Sequence, residues 1–284
     1  MKDATNSPSP CSSVAALREA ILQGEWGSPP ASMWITGASA IYQTTQFPAS
    51  GIKYHNYYLL LRSEAYFGAC SYTAEQLDIE IAGQLSGRPL DDVLRDTRSP
   101  VQIAAMDAYL GVVRPHAVHC SRAIEIEAGT PIHKARQRDA RIAEMADILP
   151  GQQVALIGVV NPLIEAILTR GGTCLPCDLQ LDATQHGEAV EKDMEKVLDR
   201  ADNVICTAMT LGNGTFDRIV ERVRERRIPL TVYAQTGSAV VAPFVNNGVT
   251  ALVAEPFPFT QFSAGPSTLY CYAGKGGGAG ADGG

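Results

Sequence analysis

The chain has 284 residues, 45% of them hydrophobic and 19% charged, with a formal net charge of −7 at pH 7. That composition is globular, which excludes disordered and fibrous classes, and the acidic balance argues against a nucleic-acid partner. No apolar run approaches the ~20 residues that span a bilayer, and Met1–Ser13 lacks the apolar stretch of a secretory signal, so no membrane partner and a cytoplasmic location are expected.

Residues 1–13 are rich in Ser and Pro and are expected to be flexible. Val14, Leu17 and Ile21 predict a helix over Val14–Leu22. Met33–Tyr42 reads as a strand, and Tyr57–Leu61 with Ala65–Cys70 as a hairpin. Thr73-x-x-Gln76 is a capping box and predicts a helix to Ala82. Ser99-Pro100 places a cap before a proline at the first helical position, opening an Ala-rich helix to Val112. Strands followed by helices make this half an α+β pattern.

After Gly151 the rhythm changes. Val154–Val160, Thr173–Cys177, Asn203–Thr207, Leu230–Tyr233 and Val249–Ala254 read as buried strands. Helices are predicted between them: Asn161–Arg170, the face of Met194, Val197, Leu198 and Ala201, that of Phe216, Ile219, Val220 and Val223, and Ala239–Asn246. Such alternation specifies an α/β fold with a Rossmann-like, doubly wound parallel sheet. The expected organisation is a smaller α+β domain over 14–135, a ligand-binding domain over 136–272 and a glycine-rich tail over 273–284.

Ligands of open parallel sheets lie beyond the carboxyl ends of the strands, where turns and helix N-termini converge. Three turns there are polar and glycine-rich, giving Gly158 and Asn161, then Thr207, Thr210, Gly212, Asn213, Gly214 and Thr215, then Gly237 and Ser238 as candidate ligand contacts. Asp178, twenty residues after Gly158, is where such folds place an acid for ribose hydroxyls. Gly158 lacks a G-x-G-x-x-G context, so an adenosyl ligand without pyrophosphate, such as S-adenosylmethionine, is favoured over NAD.

The seven cysteines are odd in number and form no disulfide framework; Cys174 and Cys177 read as packing residues on a strand. His116, His119 and Cys120 are a candidate divalent-metal set. His116, His119 and Glu255 are the candidate acid–base groups.

The run Val154 to Gly158, and above all Thr207 to Thr215 read as T-x-x-T-L-x-N-G-T, resembles the Rossmann-like domain of the putative heavy-metal chelation family. The family's following G-P-S loop stands here as Gln235-Thr236-Gly237-Ser238, without its proline. Gly83 and the helix Ser99–Leu110, with Asp107-Ala108, are similar to that family's preceding enolase N-terminal-like domain, so the resemblance covers about 14–272. It implies a ligand pocket between the domains, contacted by Asn213 and Thr215.

Three functions follow as alternatives. The first is an enzyme of specialised metabolism acting on a small polar ligand of adenosyl type. The second is a protein binding a metal or a metal chelate. The third is a non-catalytic subunit with a vestigial site. No exposed apolar stripe decides whether the chain forms a homo-oligomer.

Overall fold

The computed structural model describes residues 11–46 and 53–274; the expectations for 1–10 and for the glycine-rich run from 275 lie outside them. Helix α1 (Val14–Leu22) leads into a three-stranded antiparallel sheet, β1 (Gly37–Thr45), β2 (Tyr54–Ser63) and β3 (Tyr66–Tyr72), in the order β1-β2-β3. The short helices α2 (Ile81–Leu85) and α3 (Leu90–Leu94) follow, then α4 (Ser99–Val113) and the single turn α5 (His116–His119).

Helix α4 packs on this sheet at very short range. A side chain on Gly68 of β3 would meet the backbone of Ala104 and Ala108. The Ala-rich sequence of α4 is therefore what permits the contact.

The second half holds a seven-stranded sheet in the order β4-β10-β9-β8-β7-β5-β6. Its strands are β4 (Arg122–Ile126), β5 (Gln153–Ile157), β6 (Thr173–Cys177), β7 (Asn203–Thr207), β8 (Leu230–Ala234), β9 (Ala251–Ala254) and β10 (Ser267–Ala273). The helices are α6 (Pro131–Met145), α7 (Asn161–Thr169), α8 (Met194–Arg200), the short α9 (Met209–Gly212), α10 (Phe216–Arg226) and the short α11 (Ser238–Val241).

Strands β5 to β9 are parallel, and counted along the chain they stand in the order 2-1-3-4-5. β10 joins antiparallel to β9, and β4 antiparallel to β10. The period of two sorts each parallel strand onto two cores. Val154, Leu156, Ile205 and Val253 meet α6 and α7, while Ala155, Ile157, Val204, Cys206 and Leu252 meet α8, α10 and the first half. Both faces are covered, as a doubly wound sheet requires.

Some elements differ from expectation. Residues 73–80 form turns rather than a helix, and α2 begins only at Ile81: Gln76 accepts from the Thr73 N–H but sends its own amide to the Gly212 carbonyl on α9. The helix expected over Ala239–Asn246 stops at Val241 and tightens to a 3₁₀ turn at Ala242–Phe244, where Pro243 has no N–H to give. The division expected at 135/136 falls inside α6, and β4 belongs to the large sheet. Among the described residues no helix is long and apolar enough to cross a membrane.

The two sheets are joined at β3. The Gly237 N–H donates to the Ala69 carbonyl at 2.8 Å. Asp107 of α4 accepts from the Ala69 N–H at 2.8 Å and, through its other oxygen, from the Ala239 N–H of α11 at 2.7 Å.

Candidate functional site

A cavity of about 1730 Å³ lies between β2 and the carboxyl ends of β5, β6, β7 and β8. In a 2-1-3-4-5 sheet the crevice opens where strand order reverses, here between β5 and β7. The ends of β1 and β3, the 73–76 turn, the loop after β6, α6 and the 260–261 segment complete the wall.

At the β5–α7 turn Gly158 has φ +87°, and a side chain there would strike Thr207 across the switch point. Asn161, buried at the start of α7, donates to the Tyr54 hydroxyl at 3.1 Å and accepts from the Gln185 N–H at 3.2 Å. It therefore ties β2 to the loop after β6. Asp178 lines the cavity, but its carboxylate accepts the backbone N–H groups of Val159, Gln180 and Leu181. A ribose would have to compete with those three bonds.

The Thr207–Thr215 run is largely bonded to itself. Thr210 donates to the Thr207 carbonyl at 2.7 Å, and Asn213 Oδ1 accepts from both the N–H and the hydroxyl of Thr215. Thr207, Thr210, Asn213 and Thr215 line the cavity. Gly212 faces elsewhere: a Cβ on it would strike the Ser71 carbonyl of β3, so it serves the junction of the two sheets. Gly214 borders a separate small cleft under α1.

Gly237 and Ser238 lie at the joint with β3, not on the cavity wall. Ser238 meets His116 Nε2 at 3.0 Å, and Tyr272 meets His116 Nδ1 at 2.7 Å. Both imidazole nitrogens are thus engaged, and burial pushes the His116 pKa down to about 4. His119 and Cys120 follow on the same turn, away from the cavity. Glu255 is buried behind the wall, accepting from the Thr260 N–H and hydroxyl, Ser267 and Gln235. The structure therefore does not bring His116, His119 and Glu255 to a common surface.

The sequence reading missed α6. Arg138, buried yet lining the cavity, meets Asp139 through Nε and a terminal nitrogen, both at 2.8 Å. Its Nη1 group lies 3.9 Å from Glu255 and makes no hydrogen bond within the described residues. Burial opposes the Arg138 charge, but Asp139 and Glu255 outweigh it and hold the guanidinium protonated. Asp139 is raised by burial against the lowering effect of Arg138, and its Oδ2 is buried without a partner among the described residues. Lys134, one turn earlier, donates to the Ser263 and Gly265 carbonyls and anchors the loop behind the wall. Thr130-Pro131 was the available signal: Thr130 caps α6 by accepting from the His133 N–H, whereas at α4 the expected cap Ser99 lies inside the helix and Arg98 stands at the cap position without a side-chain bond.

The donors present do not fit a heavy-metal ion. Among the described residues no group of three or more His, Cys, Asp or Glu could hold one. A thiol must ionise to ligate, and burial pushes Cys174, Cys177 and Cys206 up to about 12 and Cys271 up to about 11.

Residues 141–252 match the model of the DUF364 family, described as putative heavy-metal chelation. The chain is similar to a DUF364-family protein of unknown function from Desulfitobacterium hafniense, at 15% identity and a TM-score of 0.59, covering 90% of this chain and 98% of that one. A second, from Pyrococcus horikoshii, has 12% identity and a TM-score of 0.55, covering 92% and 99%. At these identities the likeness shows the fold. No curated protein matches the chain.

Proposed function

We propose, for a chain with the DUF364 fold, that the cavity binds a small organic anion and that Arg138 is its anchor. The supporting observation is a guanidinium about nine-tenths buried on a cavity wall, with its Nη1 donors unused inside the described protein. Arginine presents a planar fork that matches a carboxylate or phosphate. Asp139 fixes the fork, and Glu255, which accepts four hydrogen bonds from Thr260, Ser267 and Gln235, stands 3.9 Å from Nη1, beyond hydrogen-bond range. Asp178 and Asp193, which cap backbone N–H groups, and the exposed Glu75 also line the cavity, against Lys53, Arg136 and Lys192, the last paired with Asp182.

An adenosyl compound with a carboxylate, such as S-adenosylmethionine, is the finer form of this proposal, and a reaction on that ligand finer still. Because His116, His119 and Glu255 lie off the cavity, any reaction there would draw on other side chains. Calorimetry with citrate, adenosine monophosphate and S-adenosylmethionine tests the reading. A charged hydrogen bond contributes roughly 1.5–3 kcal/mol, so affinity should fall about 10- to 150-fold in Arg138→Gln/Asp139→Asn, a pair that removes both members of the ion pair together and leaves Glu255 on its four hydrogen bonds. Undiminished binding in the folded double variant, or none of the three bound by the wild-type chain, would reject it.

A further inference from the structure

Alternation along β2 turns Leu59 and Leu61 into the core with α4 and sends Tyr58 the other way, toward the second half. There its ring, 4% exposed, meets Phe259 and Phe262 edge-on, with centroids 5.3 and 6.0 Å away. The two phenylalanines flank Thr260, which holds Glu255, and Glu255 stands 3.9 Å from Arg138 Nη1. The Tyr58 hydroxyl makes no hydrogen bond among the described residues. It keeps its proton, because burial pushes its pKa up to about 12 against the lowering effect of the Arg138 charge. Two buried side chains from different halves, Tyr58 and Arg138, thus line one cavity, each with a donor that no acceptor among the described residues meets.

We infer that these two donors grip a single carboxylate, and that the cavity selects a singly charged carboxylate ligand over phosphate dianions and polyanions. This selectivity rests on the organic-anion reading of the cavity.

The charge around the guanidinium sets the limit. Asp139 meets Arg138 at 2.8 Å and Glu255 stands at 3.9 Å, so one buried cation already faces two buried carboxylates. The other charges on the lining balance: Lys53, Arg136 and Lys192 stand against Glu75, Asp178 and Asp193, all at exposed or half-buried positions. His55 and His186 also border the cavity, exposed, at 2.9 Å from the Tyr42 hydroxyl and 3.2 Å from the Gln185 amide. A carboxylate can accept from Arg138 Nη1 through one oxygen and from the Tyr58 hydroxyl through the other, spreading one charge over both. A phosphate dianion would bring a second negative charge toward Glu255, with no further buried cation on the lining to meet it.

The test is calorimetry on the full chain at about pH 7.5, where a phosphate monoester is mostly a dianion. The probes are adenosine monophosphate, the adenosine analogue in which a carboxylate replaces the phosphate, and citrate. The expected result is one carboxylate analogue per chain, bound roughly tenfold or more tightly than either other probe. Tyr58→Phe keeps the ring contacts and removes only the free hydroxyl, so it should melt as the wild-type chain does and weaken the analogue about 10- to 150-fold. Adenosine monophosphate or citrate bound as tightly as the analogue, or more tightly, overturns the carboxylate selectivity while sparing the organic-anion reading. An affinity unchanged in Tyr58→Phe likewise overturns the two-donor grip alone, and binding of none of the three overturns both.

Discussion

Asp107 and His116 are both buried at the joint between the sheets, and burial moves them in opposite directions. Asp107 is pushed up to about 7, despite the N–H groups of Ala69 and Ala239 that favour its charge. Its contribution to stability is full below about pH 4 and declines as pH rises through 7. His116 is pushed down to about 4, so its contribution is full above 6.5 and declines as pH falls through 4. Between pH 4 and 6.5 the two oppose each other, a tenfold change in proton affinity being worth roughly 1.4 kcal/mol. His116→Gln should therefore hold its urea midpoint better than the wild-type chain from pH 6.5 to 4. Asp107→Asn should lose the decline toward pH 7, and should cost about 1–3 kcal/mol because its NH₂ faces a backbone N–H. Parallel pH profiles for wild type and both variants would refute these assignments. At this scale the candidate site was half legible. Turn residues such as Asn161, Asp178 and Asn213 show in sequence because polar side chains after buried strands stand out, and all three line the cavity. Arg138 does not, because an arginine in a charged helix reads as solvent-facing until its neighbours are known.

Elements were legible where one physical signal dominated. Apolar runs ending in polar turns marked all five parallel strands. Helix α6 was hidden because Lys134, Arg138 and Asp139 are buried on the same side as Ala135 and Ile142, which breaks the apolar stripe. Strands β4 and β10 were hidden because they pair antiparallel at the far end of the sheet, outside the strand-helix alternation of the parallel strands. Two glycines separate packing from propensity. Gly212→Ala drives a methyl into the Ser71 carbonyl and should cost roughly 1–3 kcal/mol. Gly83→Ala, exposed inside α2 with open space around it, should gain about 0.5–1 kcal/mol. Thermal melts of the two variants should move in opposite directions; a shared direction would contradict the packing at β3.

For the whole molecule, a smaller α+β part and a large parallel sheet followed from the sequence, but the core they share did not. One continuous core contains Leu59 and Tyr109 from the first half together with Val232 and Phe244 from the second. Periodicity describes each element's own faces and is silent on which faces meet across 170 residues of chain. Such a core should unfold in one step. Both tryptophans, Trp26 and Trp34, belong to the first half, so their fluorescence reports on it, while far-UV circular dichroism reports on every element. The two urea curves should coincide, and a separate fluorescence transition would show that the halves are independent.

The position of β4 has a consequence for synthesis. Its ladder partner is β10, and about 140 residues separate Ile126 from Ser267. At the ~5–20 residues per second of a ribosome, that interval is roughly 7 to 28 s. The five parallel strands are made during this wait, while the nascent β4 carries Ile124 and Ile126 with no strand to receive them. β10, the last of the described strands of this sheet, thus joins the first of them, and a ribosome stalled before Ser267 would present an open edge to chaperones.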